Sequence, residues 1–161
     1  MLPNVFTGMN LLLGVVALAF IMHQHYLLSS GLIVTAAIMD RFDGILARRL
    51  EADSKFGKEL DSLADLVSFG VAPALLAYTV SLQGWAVAGL ALIGLYVLCG
   101  AYRLARFNVI ESRDCFLGLP ITAAGVLLAV VLALTASPVV VAIICLGLSA
   151  AMISSVPVPK I

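Results

Sequence analysis

Asp40-Arg41-Phe42-Asp43-Gly44-Ile45-Leu46-Ala47-Arg48, then eight residues, then Gly57-Lys58-Glu59-Leu60-Asp61-Ser62-Leu63-Ala64-Asp65, is the stretch on which the fold turns. It lies between apolar runs of about the 20 residues that a bilayer-crossing helix needs. The charges therefore occupy the ends of two helices and the connection between them. Asp40 and Asp43 are spaced i,i+3 and Asp61 and Asp65 i,i+4, so each pair projects from one face of its helix. Two antiparallel helices joined by a short loop bring the four carboxylates together.

Working outward, apolar stretches separated by polar breaks predict about six spans. The first runs from Val5 to Met22 and ends at His23-Gln24-His25; the second runs from Tyr26 to Ala47; the third from Gly57 to Ser81. After Leu82-Gln83-Gly84 a fourth covers Trp85 to Arg106, and Asn108 to Leu119 reads as a loop. A fifth spans Pro120 to Ala136 and, after Ser137-Pro138, a sixth spans Val139 to Val156. The composition agrees: 63% of the 161 residues are hydrophobic and 11% charged, with mean hydropathy +1.16, more apolar than a soluble domain can hide. The expected fold is an all-α integral membrane protein, a bundle of about six transmembrane helices forming one domain over residues 1–161.

Every Lys, Arg, Asp and Glu falls near the second connection, the fourth connection or the C-terminus, while the other connections carry no fixed charge. With an even number of spans these charges share one side, which the positive-inside bias makes cytoplasmic, with both termini. Net charge is +0, so nothing global points to nucleic acid. Cys99, Cys115 and Cys145 lack metal-site spacing and are odd in number, which fits small packing residues rather than a disulfide framework. Met1 to Phe20 has no basic leader region and is expected to belong to the mature fold.

Four carboxylates a few ångströms apart repel by roughly 4 kcal/mol per close pair at an effective dielectric near 20. Two divalent cations would cancel the four charges, and an all-carboxylate site suits the hard ions Mg²⁺ or Mn²⁺. The competing reading is a solvated helix end paired with Arg41, Arg48, Arg49, Lys55 and Lys58, which requires neither this spacing nor the interleaved small residues. Gly44 and Ala47 share a face beside Asp40 and Asp43 and leave room for a flat ligand, as does Gly57 on the facing helix. Arg48 offers a planar fork for a phosphate.

The stretch matches D-x2-D-G-x2-A-R-x8-G-x3-D-x3-D and so resembles the CDP-alcohol phosphotransferases. The resemblance implies that Asp40, Asp43, Asp61 and Asp65 ligate two metal ions, with Asp65 also the general base for the acceptor hydroxyl. It implies a CDP site at Asp40, Gly44, Ala47, Gly57 and Arg48, the last holding the diphosphate. Pro3-Asn4-x-x-Thr7 is similar to the family's entry segment, which adds Asn4 and Thr7 to the nucleotide contacts. A homodimer is likewise implied.

The acceptor is read from outside this signature. The run Asp61 to Pro73, the block Arg103-Leu104-Ala105-Arg106-Phe107-Asn108 and Phe116-Leu117-Gly118-Leu119-Pro120 resemble the membrane-type phosphatidylserine synthases of that family, although Thr122 stands where that pattern has a second proline. This implies transfer of a phosphatidyl group from a CDP-lipid, diacylglycerol or archaeal ether lipid, to serine. Arg103, Arg106 and Asn108 become the candidates for the serine pocket or for a lipid phosphate. Glycerol phosphate and inositol phosphate are the alternative acceptors. A cation channel or transporter is the rival from another class; it predicts polar groups at several depths, and the fifth and sixth spans offer almost none. A lipid-binding relative without catalysis would need a broken metal position, and all four aspartates are intact.

Overall fold

The structure, a computed structural model, describes residues 2–49, 54–109, 116–154 and 157–158. The helical rods are α1 (Leu2–Met22), α2 (Tyr26–Arg49), α3 (55–82), α4 (Ala86–Val109), α5 (Ile121–Leu134) and α6 (Pro138–Ile153). Two dipeptides, β1 (Phe116–Leu117) and β2 (Pro157–Val158), pair antiparallel. The expected boundaries hold to within a few residues because long apolar runs and polar breaks dominate the pattern. Where they fail the reasons are local. Thr135 turns extended and ends α5, with its hydroxyl accepting from the Ser137 amide at 3.2 Å, and α6 stops at Ile153, where Ser154 caps it. Of the segment expected as a loop from Asn108 to Leu119, Asn108 and Val109 belong to α4 and Phe116-Leu117 pairs with Pro157-Val158.

Helix α1 turns back through Gln24, at φ 63°, and the His25 amide closes the turn on the Phe20 carbonyl at 2.9 Å. Deeper in the pair, the Ser29 hydroxyl donates to the Ala17 carbonyl at 3.0 Å. Helices α3 and α4 also form an antiparallel hairpin. The break between them is a 3-10 turn at Gln83–Trp85 followed by Ala86 at φ 41°. Tyr96 of α4 meets Phe69 of α3 halfway along, and Asn108 meets Ser62 near the open end.

Helix α3 is not a uniform α-helix. It runs as α from Lys55–Asp65, as a π turn over Leu66–Val71, as α over Ala72–Ala77 and as a second π turn over Tyr78–Leu82. Pro73 explains the first irregularity. It has no N–H to offer the carbonyl of residue i−4, which is Phe69, and its ring crowds that carbonyl. The Tyr96 hydroxyl, fully buried, supplies the missing donor at 3.1 Å, an interhelical repair of the kind an apolar interior demands. Helix α5 packs directly on this turn: a Cβ at Gly125 would lie 2.7 Å from the Phe69 carbonyl oxygen.

The core between these rods is built from Ile33, Phe69, Leu76, Tyr96, Ile121, Leu128 and Met152. The outside is also apolar, with Leu12, Met22, Leu27, Val87, Leu98, Leu134 and Ile143 all exposed, far more than an aqueous surface normally presents in one girdle. Among the described residues, the apolar helical runs long enough to cross a membrane are Val5–Met22 and Lys55–Val109; the latter is folded on itself at Gln83–Trp85 into α3 and α4.

Candidate active site

The aspartates converge from two helices. Asp40 comes from the later turns of α2, and Asp61 and Asp65 from the first α-helical segment of α3. Ser54 starts that segment by accepting a hydrogen bond from the Gly57 amide at 3.0 Å, a standard N-cap, so the Gly57 backbone serves the helix start. Carboxylate oxygens of Asp40, Asp61 and Asp65 all lie within 4.8 Å of one another. Asp65 is buried and the other two are half-buried. Each ionised pair at that separation repels by roughly 3–4 kcal/mol at an effective dielectric near 20. An all-oxygen, hard, anionic donor set of this density fits a divalent cation, and the three residues can hold one.

Of the other residues singled out in the sequence, the side chains of Asn4, Asp43, Ala47 and Arg48 lie outside the described residues. Thr7 is buried in α1 on the same rod as Asn10. Gly44 lies on an open face of α2, where an added Cβ would meet nothing within 4 Å.

The acceptor candidates separate into three positions. Arg103 is buried, with its Nε lacking a hydrogen-bond partner, and its guanidinium lies within the electrostatic reach of Asp65 and Arg106. Arg106 donates to the carbonyls of Ile153 and Ser154 at 3.3 and 3.2 Å, capping the C-terminal end of α6. The Asn108 amide donates to the Ser62 hydroxyl at 3.0 Å and to Glu59 Oε1 at 3.4 Å, closing the open end of the α3–α4 hairpin.

Two residues that sequence reasoning passed over touch the carboxylates. The Asn10 side-chain amide donates to Asp65 Oδ1 at 3.1 Å, and the Thr122 hydroxyl faces Asp40 Oδ2 at 3.5 Å. Asn10 had a detectable signal, being the lone carboxamide in the apolar body of α1 after its first turn, three residues beyond Thr7, and a polar group at that depth is costly unless it has work to do. Thr122 had none, because its departure from a proline pattern does not say what its hydroxyl would meet. Helix α1 is held against α3 at this level by the Ser68 hydroxyl, which donates to the Asn10 carbonyl at 2.9 Å. One turn further on, Gly14 is in such close contact with Ser68 that no side chain fits between them.

Comparison with known proteins agrees with this site. Residues 1–154 match the family model for CDP-alcohol phosphatidyltransferase. The chain is 40% identical over 159 residues to the CDP-diacylglycerol–serine O-phosphatidyltransferase of Bacillus subtilis, covering 98% of this chain and 89% of that one. It is 39% identical over 156 residues to the enzyme of the same name from Methanocaldococcus jannaschii, covering 96% of this chain and 71% of the other. With the Helicobacter pylori protein of that name it shares 41% identity over 128 residues, and there the match spans only 54% of the relative's length. With a family match across nearly its whole length and aspartates gathered where that family's signature falls, the chain belongs to the CDP-alcohol phosphatidyltransferase family.

Proposed function

We propose that this protein transfers the phosphatidyl group of a CDP-lipid such as CDP-diacylglycerol to the hydroxyl of L-serine, giving phosphatidylserine, or its ether-lipid equivalent, and CMP. The observation that carries the reading is the convergence of Asp40, Asp61 and Asp65 within 4.8 Å, in a chain about two-fifths identical to enzymes named for this reaction. The serine oxygen forms a bond to the lipid-bearing phosphorus as the bond from that phosphorus to the CMP oxygen breaks, and the hydroxyl proton passes to Asp65. A carboxylate amid other carboxylates is a good proton acceptor, since their charge favours its protonated form. Two divalent ions, Mg²⁺ or Mn²⁺, held by Asp40, Asp43, Asp61 and Asp65, would supply charge neutralisation on the diphosphate and the departing CMP.

Around that centre, Asn4, Thr7, Asp40, Gly44, Ala47, Arg48 and Gly57 form the CDP side. The open face at Gly44 supports room for the nucleotide. Arg103, Arg106 and Asn108 frame the acceptor side, and the buried Arg103, with Nε free, is the best matched of them to a serine carboxylate or a lipid phosphate. The six rods form one transmembrane bundle in the cell membrane, with the aspartates and both termini at the cytosolic face, and the protein works as a homodimer. The charge distribution supports the orientation, and family resemblance supports the dimer.

The test is direct. Purified protein is supplied with CDP-diacylglycerol and Mg²⁺ or Mn²⁺, and CMP release is followed with serine, glycerol phosphate and inositol phosphate in separate reactions. Serine-dependent release is expected; release only with one of the phosphorylated alcohols would reassign the acceptor.

A further inference from the structure

The side chain of Asn10 is only half used by the contacts described above. The residue has no solvent exposure. Its side-chain NH₂ donates to Asp65 Oδ1 and its main-chain carbonyl is engaged by Ser68. The side-chain Oδ1 is buried and has no hydrogen-bond partner. Chemistry fixes which end of the amide faces which way, because the reverse orientation would set a carbonyl oxygen against a carboxylate. A buried carbonyl without a donor is destabilising, so this acceptor is held ready, beside the proposed base, for a donor that arrives with the substrate.

We infer that Asn10 Oδ1 accepts a hydrogen bond from the ammonium group of the acceptor amino alcohol while the other end of the same amide aims Asp65. The inference rests on the serine reading above and goes beyond it by assigning the group that recognises the amine. In serine the hydroxyl and the ammonium are borne on adjacent carbons. Here the carboxylate proposed to take the hydroxyl proton and the free amide oxygen belong to two side chains already hydrogen-bonded to each other. A molecule whose hydroxyl points at Asp65 thus brings its ammonium to Asn10. A neutral amide oxygen suits the task, since it binds N⁺–H strongly without adding another anion to a cluster that already repels itself. Phosphorylated polyols carry no ammonium to place there, which makes Asn10 a specificity-determining residue.

The experiment uses the full chain in detergent micelles with CDP-diacylglycerol and saturating Mn²⁺, comparing wild type with N10A and N10D. Four quantities are read: the KM for serine, the KM for CDP-diacylglycerol, inhibition by 3-hydroxypropionate, which is serine without its ammonium, and Mn²⁺ binding by EPR titration without substrate. Wild type should bind 3-hydroxypropionate at least tenfold more weakly than serine. N10A should raise the serine KM at least tenfold and bring the two ligands to within about threefold of each other. The CDP-diacylglycerol KM and the Mn²⁺ affinity should stay within about threefold. N10D keeps an oxygen for the ammonium but loses the donor to Asp65, so kcat should fall while the serine KM stays within about threefold, and this variant decides the matter if N10A does not fold. A parallel rise of both KM values, a loss of Mn²⁺ affinity in step with activity, or equal binding of serine and 3-hydroxypropionate by wild type would overturn the inference alone. Wild type that releases no CMP with serine would overturn the serine reading, and this assignment with it.

Discussion

The two ends of the helical bundle solve opposite problems. At the end holding His23-Gln24-His25, Leu82-Gln83-Gly84 and Ser137-Pro138 there is no fixed charge, and the buried polar atom left without a partner there is the neutral Ser81 hydroxyl. The His25 amide bonds the Phe20 carbonyl and their rings stack edge-on at 5.9 Å. At the other end three carboxylates crowd within 4.8 Å, and both Asn10 Oδ1 and Arg103 Nε are buried without partners. A cavity of about 510 Å³ lies at the quiet end, lined by Gln24, His25, Tyr26, Ser30, Leu76 and Leu132 among others. What sets the aspartate end apart is unrelieved electrostatic tension. One end is built for stability, and the other gives up stability for a site.

The sharpest way to break this comparison is D65N. If the tension is functional, CMP release should fall by about 10²–10⁴-fold, the range for losing a general base. The metal-free protein should melt at the same or a higher temperature, because a like charge has been removed; a large drop in melting temperature would mean that Asp65 is structural. Next in size is metal removal. Excess EDTA should abolish turnover, with recovery on adding Mg²⁺ or Mn²⁺. Added Mn²⁺ at about 100 times its Kd should stabilise wild type by about 2.7 kcal/mol and leave a D40N/D61N double variant nearly unchanged, as followed by thermal melting.

Between the ends, packing should respond in the ordinary way. G14L, which forces α1 away from Ser68, should cost about 1–3 kcal/mol by overpacking and lower activity by shifting Asn10. Y96F should cost a similar 1–3 kcal/mol by leaving the Phe69 carbonyl without its donor, with less effect on kcat than G14L, as seen by parallel melting and CMP assays. The smallest effect belongs to the quiet end, where H25A should change stability by no more than about 0.5 kcal/mol and leave both KM values unmoved.

Much of this was legible in the chain because two signals are strong and local. Apolar run length located the rods, and i,i+4 spacing put Asp61 and Asp65 on one face where Asp40 could meet them. What escaped depends on partners far away in the chain. Asn10 and Asp65 are 55 residues apart, Arg106 and Ile153 are 47 apart, and Thr122 and Asp40 are 82 apart, and no local pattern encodes such pairs. A proline inside a helix disturbs it by lacking an N–H, but the form that disturbance takes at Pro73 depends on Tyr96 and Gly125 from two other helices.

The π turn that follows Asp65 bears on how this scaffold tolerates changes in length. A π turn takes up one residue more than the α-helix around it, and each residue advances an α-helix by about 100°. Such a turn takes up its extra residue while keeping the aspartate-bearing tip of α3 in phase with the stretch gripped by Phe69, Gly125 and Tyr96. Removing a single residue between Leu66 and Val71 can therefore be absorbed by relaxation to an ordinary α-helix that leaves Asp61 and Asp65 facing Asp40, whereas adding one there would swing them away by about 100°. At this point the scaffold forgives a shorter chain more readily than a longer one.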